Sequence, residues 1–235
     1  MSQIFALRKR PAAAIAGTDA TFPVGRIFCI GRNYAAHARE MGKDPDREAP
    51  FFFTKWADAL VPNGATIPYP PQTENYQYEA ELVIAIGKEG GAIAKEDALD
   101  LVFGYAVGLD MTRRDLQFEA RDKGRPWDAG KNFAFSAPMA AIRPVLGGGH
   151  LSTAPIQLRV NGEIKQDGDI ADLIWDCAET IAYLSKFERF LPGDLIFTGT
   201  PAGVGAVLPG DVIDVNIAGL EPLRVTIGEK DAAFA

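Results

Sequence analysis

The 235-residue sequence predicts a mixed α/β fold that is mainly β. Three observations lead there. Short apolar runs rich in β-branched residues outnumber the segments with helical spacing. No regular strand–helix alternation is present, which argues against a doubly wound parallel sheet. Glycine and proline punctuate the chain at short intervals, as turns between strands require. The length can bury a substantial core. The expected division is an N-terminal arm at residues 1–21 and a main domain at residues 22–235.

Taken in order, residues 1 to 22 read as irregular, broken by Pro11, Gly17 and Pro23. Arg26 to Ile30 is a short buried strand closed by Gly31, and Arg32 to Met41 is a helix ending at Gly42. The charged stretch from Lys43 to Pro50 is a loop suited to a lid. Extended structure resumes at Phe51-Phe-Phe-Thr54, and the prolines between Pro62 and Pro71 forbid helix. Tyr78 to Ile86 is a strand, residues 95 to 101 a short helix, and Val102 to Met111 a second buried strand. Thr112 and Asp115 make a capping-box signature, so a helix carrying Gln117 and Glu119 starts there. Asn161-Gly162 predicts a type I′ hairpin within residues 156–166. The longest helical stretch is 171–187, with Leu173, Cys177, Ile181 and Leu184 on one face. Strands at 194–198, 211–217 and 223–227 complete the chain.

Composition narrows the function classes. A net charge of −7 argues against a nucleic-acid binder, which needs a basic face. No apolar run approaches the roughly 20 residues that cross a bilayer as a helix. The N-terminus lacks the charge order and apolar length of a secretory signal. Cys29 and Cys177 lie far apart without metal-binding spacing, so a cytoplasmic protein with two reduced thiols is expected.

The chemistry begins with Glu79 and Glu81. Residues two apart in a strand face the same side. Two like charges so placed resist burial unless a cation neutralises them. Asp110 ends the next apolar strand and meets them if the strands are neighbours. Three hard oxygen ligands without His or Cys suit Mg²⁺, Mn²⁺ or Ca²⁺. Spacing alone leaves open the alternative that the pair is the solvated side of a half-exposed strand. His37 and Glu40 are helix neighbours at i and i+3, so the carboxylate can orient an imidazole that activates water; an ordinary surface pair has the same spacing. Lys131 is a lone cation among aromatic groups. The glycine-rich turn from Thr198 to Gly205 lacks the lysine of a phosphate-binding loop, but its amides and Thr200 can receive a carboxylate. His150 follows three glycines and reads as an exposed loop residue.

Five segments in order resemble the fumarylacetoacetate hydrolase family. They are Gly31-Arg-Asn-Tyr-Ala-Ala-His37-Ala-Arg-Glu40, Tyr78-Glu79-Ala-Glu81-Leu82, Gly104 to Gln117, Lys123 to Lys131, and Thr198-Gly-Thr-Pro201. The length is similar to that of the short acylpyruvase branch. The resemblance implies a central rolled mixed β-sheet or barrel flanked by short helices. It implies Glu79, Glu81 and Asp110 as ligands of Mg²⁺ or Mn²⁺, with Ca²⁺ as a crystallographic substitute, and His37 with Glu40 as the water-activating dyad. Lys131 and Gln117 would contact the pyruvoyl portion of the substrate, and Thr200 its carboxylate. Arg32 and Arg114 match motif positions as further substrate-binding residues. Gln77 departs from the family, where many relatives carry histidine.

The resemblance further implies hydrolysis of 2,4-dioxo acids, foremost fumarylpyruvate to fumarate and pyruvate, by a homodimer in aromatic catabolism. Oxaloacetate decarboxylation, or another lyase or isomerase reaction of oxo acids, can use the same metal site. A reading from a different class is a non-catalytic, metal-dependent binder of keto acids.

Overall fold

The computed structural model describes residues 4–6, 9–36 and 48–230. Its centre is the strand Ala80–Ile86, whose seven residues are all buried. An apolar run of this kind can be covered on both faces, and the alternation of its side chains divides the core in two. Leu82, Ile84 and Ile86 join one cluster with Ile156, Leu158, Val215 and Val225. Val83 and Ala85 point the other way, toward Cys29, Ala106, Leu195 and Phe197.

Around this strand runs an eight-stranded mixed sheet that curls into a half-barrel. Its order is Phe51–Lys55, Ile27–Gly31, Leu195–Phe197, Ala80–Ile86, Val102–Leu109, Ala137–Met139 and Leu60–Pro62, with Arg143–Pro144 also paired to Val102–Leu109. A five-stranded sheet is ordered Glu163–Asp169, Pro155–Val160, Val212–Ile217, Leu223–Lys230 and Thr66–Tyr69. A small third sheet joins Thr112–Arg113, Tyr76–Tyr78 and Gly205–Ala206. The mixed, mainly β expectation holds, and the α-helices fully within the described residues are short: Arg114–Asp122, Asp128–Lys131 and Cys177–Leu184.

Several local readings survive in detail. Asn161 and Gly162 have φ of 52° and 84°, the two positive values that a type I′ turn requires. Residues Lys95–Leu101 form the expected short helix, of the 3₁₀ type. Others need correction. The arm read as irregular contains a hairpin, with Ala12–Ala14 antiparallel to Thr21–Pro23. Ala13 and Phe22 of that hairpin are buried in the second core cluster, so apolar contact organises a segment whose local signal is only breakers. The long helix predicted at 171–187 is confined to Cys177–Leu184. Leu173 instead bridges to Tyr34, the Ile174 amide donates to the Asn33 carbonyl, and Asp176 caps a new start in a capping box with Glu179. The capping box predicted at Thr112 and Asp115 is absent. The helix begins at Arg114 without a side-chain cap, and the Asp115 carboxylate accepts from the Thr73 hydroxyl and the Glu74 amide instead.

Leu82 is fully buried where the large sheet meets the larger core cluster. Its replacement by alanine is expected to cost about 2–5 kcal/mol, measured as a fall in the urea midpoint at unchanged slope.

Candidate active site and metal centre

Register brings the three acidic residues together. In the antiparallel pair of Ala80–Ile86 with Val102–Leu109, Glu81 lies opposite Gly108 and Ala80 opposite Leu109. One step beyond the ladder, the Asp110 amide donates to the Glu79 carbonyl at 2.9 Å. Glu79 falls in the break between Tyr76–Tyr78 and Ala80–Ile86, and all three acidic residues are buried. One oxygen from each lies within 4.8 Å of the others. The solvated-face alternative is therefore overturned: these carboxylates look into protein.

Buried carboxylates need compensation, and three cations supply it unequally. Lys131 is carried by the short helix Asp128–Lys131, which packs on the helix Arg114–Asp122. Gly130 permits that approach, since a Cβ there would lie 2.8 Å from the Gln117 amide nitrogen. The Lys131 ammonium donates to Glu79 Oε2 at 2.7 Å, Asp110 Oδ2 at 2.8 Å and Thr112 Oγ1 at 2.7 Å. Burial works against its charge, but Asp110 and Glu79 outweigh that, and the pKa of Lys131 is raised. Arg114 forks among three partners: Nη2 to Glu79 Oε1, Nη1 to Gln117 Oε1 at 2.6 Å, and Nε to Gln77 Oε1 at 2.7 Å. Gln77, the residue that departs from the family pattern, thus orients the buried guanidinium.

Sequence reasoning missed the third cation. Lys55, at the end of the strand Phe51–Lys55, has a fully buried side chain and pairs with Asp110 Oδ1 at 2.8 Å. It also donates to the carbonyls of Met111 and Lys131. The one available signal was a lysine ending an otherwise apolar Phe51-Phe-Phe run.

Glu81 stands apart. Its Oε2 accepts from the Gly199 amide at 2.8 Å, and among the described residues no cation pairs with it. Gly199 adopts φ +99°, which favours glycine, and a Cβ there would lie 2.8 Å from that of Asn33. Asn33 ties the Gly31-Arg-Asn-Tyr segment to this turn, donating to the carbonyls of Thr198 and Trp175. Burial first, then Asp110 and Glu79, push the Glu81 carboxyl well above the usual range. A divalent ion fits this donor set: three buried oxygens in reach of one another, one of them without a cationic partner among the described residues.

The same cleft is lined by Arg32, Arg114, Gln117, Trp127, Lys131 and Thr200. Arg32, at φ +60°, lies over the Phe51 ring at 5.2 Å, at the border with an adjoining cavity of about 540 Å³. His37 and Glu40, and the lid proposed from residue 43, lie at positions outside the described residues as far as residue 47. His150 is exposed as expected, with Nδ1 3.0 Å from the Tyr105 hydroxyl. Burial pushes the Cys29 thiol well up and the Cys177 thiol up to about 12, so neither is a ready nucleophile.

Because the folded state raises the Glu81 pKa, it binds more protons than the unfolded chain between the two values. The metal-free protein therefore loses stability as pH rises through that window. Glu81→Gln is expected to raise the melting temperature in EDTA at pH 7 and to abolish the stabilisation by Mn²⁺, both read by differential scanning fluorimetry. Lys55→Met removes one of the two cationic partners of Asp110 and should cost about 3–5 kcal/mol in chemical denaturation.

Comparison with known proteins places this geometry. The model of the fumarylacetoacetate hydrolase C-terminal region matches residues 26–228. The chain is 49% identical to a fumarylpyruvate hydrolase of Ralstonia sp over 193 residues, 81% of this chain and 100% of the relative. It is 41% identical to the mitochondrial oxaloacetate tautomerase FAHD1 of Homo sapiens over 205 residues, 87% of this chain and 92% of the relative. The crystal structure of fumarylpyruvate hydrolase from Pseudomonas aeruginosa in complex with Mn²⁺ and pyruvate superposes with a TM-score of 0.95 at 53% identity, covering 97% of this chain and 100% of that one. With its acidic cluster, its curled sheet and these relatives in agreement, the chain belongs to the fumarylacetoacetate hydrolase family.

Proposed function

We propose that this chain is a metal-dependent hydrolase that cleaves the carbon–carbon bond of acylpyruvates, with fumarylpyruvate, split to fumarate and pyruvate, as its substrate. The observation that carries the reading is the buried cluster of Glu79, Glu81 and Asp110, in which Glu81 has no cationic partner among the described residues. The similarity to a protein solved with Mn²⁺ and pyruvate supports the same choice of ligands. Glu79, Glu81 and Asp110 would hold Mg²⁺ or Mn²⁺, which supplies Lewis acidity toward the 2-oxo acid end of the substrate.

The chain's own residues then divide the work. Thr200 and Gln117 line the cleft and position the pyruvoyl carboxylate and oxo group. His37, oriented by Glu40, takes a proton from water as it adds to the 4-oxo carbon. The bond between carbons 3 and 4 breaks, its electron pair passes to the pyruvate fragment as an enolate, and return of the proton taken from water to carbon 3 gives pyruvate. Lys131, held protonated by Asp110 and Glu79, places positive charge where that enolate forms. Arg114 keeps Glu79 and Gln117 fixed through its buried fork. Arg32, on the rim, faces the acyl side of the substrate. The same reading extends to a cytoplasmic homodimer in aromatic catabolism, with residues 22–235 as the catalytic domain.

A second reading, keto–enol conversion of oxaloacetate, is supported by the relatives of that name at 39–41% identity. The two part at water attack, which only hydrolysis needs.

Loss of enol absorbance from fumarylpyruvate is expected with Mg²⁺ or Mn²⁺, to stop with EDTA, and to return when metal is restored. His37→Ala should lower the rate by about 10²–10⁴ while still binding pyruvate. Hydrolysis by His37→Ala at near the parent rate would remove the proposed base. Rapid oxaloacetate tautomerisation with no fumarylpyruvate cleavage would favour the second reading.

A further inference from the structure

The edge strand Glu163–Asp169 is mostly exposed, with one fully buried side chain, Gln166. A register shift against Pro155–Val160 explains its direction. Leu158 pairs with Gln166 and Arg159 with Ile164, which leaves Lys165 as the extra residue of a bulge. Bulges re-aim side chains, and here the carboxamide is turned into the protein. Its Oε1 accepts from the Ala80 amide at 3.0 Å, on the residue between Glu79 and Glu81. Its Nε2 donates to Thr200 Oγ1 at 2.8 Å and to the Pro201 carbonyl at 2.7 Å.

These partners fix the orientation of the amide. The Ala80 amide can only donate and the Pro201 carbonyl can only accept, so the oxygen and nitrogen of Gln166 cannot exchange places. The Thr200 hydroxyl therefore receives a hydrogen bond from Gln166, and its own hydrogen is left for another acceptor. Thr200 is buried and lines the cleft beside Glu79, Glu81, Asp110 and Lys131.

We infer that Gln166 is a positioning residue, which sets the Thr200 hydroxyl as a donor toward a ligand carboxylate and couples that donor to the backbone between the metal-site glutamates. The inference rests on the reading above that Thr200 receives the carboxylate of a 2-oxo acid.

Gln166→Glu tests it with little change of shape. A carboxylate still accepts from the Ala80 amide but offers no N–H to the Pro201 carbonyl or to Thr200, whose hydroxyl must then donate to Glu and turn from the cleft. Calorimetric titration of the Mn²⁺-loaded protein with pyruvate should show affinity lowered by about tenfold, the scale of one hydrogen bond to a charged group. Mn²⁺ affinity should stay within about threefold, and the loss in kcat/KM should fall mainly in KM. In a Thr200→Val background, itself weakened, Gln166→Glu should add less than about twofold. Parent-like pyruvate affinity in Gln166→Glu, or the same tenfold loss on top of Thr200→Val, overturns the inference alone. Parent-like affinity in Thr200→Val removes the assignment of Thr200 and the inference together. Should Gln166→Glu not fold, the parent protein decides by NMR with Mg²⁺ present. Pyruvate should shift the Gln166 side-chain amide resonances in the parent and leave them in place in Thr200→Val; equal shifts in both overturn the inference.

Discussion

Three carboxylates are buried at the junction of two central strands, and the arrangement of the surrounding protein follows from that. Like charges in so confined a space repel, and removal from water is costly for each of them. Asp110 is held between Lys55 and Lys131, and Glu79 between Lys131 and Arg114. Each cation comes from a different part of the chain, so balancing the charge draws together the strand Phe51–Lys55, the helix Arg114–Asp122 and the helix Asp128–Lys131. The polar centre thereby acts as a structural organiser as well as a reaction site.

Among the described residues the compensation is incomplete. Glu81 has a backbone amide where its neighbours have ammonium or guanidinium groups. Its pKa is raised, with burial as the largest cause and Asp110 and Glu79 next. A divalent cation would offset the deficit, and so the least compensated of the three carboxylates is the one that most strongly calls for metal. Lys131 complements this from the other side. Its charge is secured by Asp110 and Glu79, which suits a group that stabilises negative charge and excludes it as a base in that state.

The remaining polar residues extend this centre outward. Gln77 and Gln117 set the Arg114 fork, Asn33 anchors the Thr198–Gly199 turn, and Gln166 links Thr200 to the Ala80 amide between Glu79 and Glu81. Amides suit these places because they donate and accept without adding charge to a site already crowded with it. The aromatic residues Phe51, Phe53 and Trp127 close the side next to Arg32, with Phe53 and Trp127 rings 5.9 Å apart.

The sequence alone determined the mainly β class, the strand carrying Glu81, its partner leading into Asp110, and the Asn161-Gly162 hairpin, although the predicted strand is broken at Glu79. Those signals are local: period-two alternation, β-branched composition and positive-φ turn residues. It also supplied the ordered motifs by which the family was legible. What it left open, whether the glutamates face water or protein, depends on what covers the strand, and only the packing of both faces answers that. Lys55 and Gln166 were invisible for a related reason, since each does its work through partners more than 50 positions away in some contacts, such as Met111 for Lys55 and Ala80 for Gln166. The predicted capping box and the single long helix failed where tertiary partners claimed the same groups, Asp115 by Thr73 and Glu74, and Leu173 by Tyr34. Local spacing identifies the chemistry a chain carries; long-range register and burial decide which of those groups meet, and at what charge.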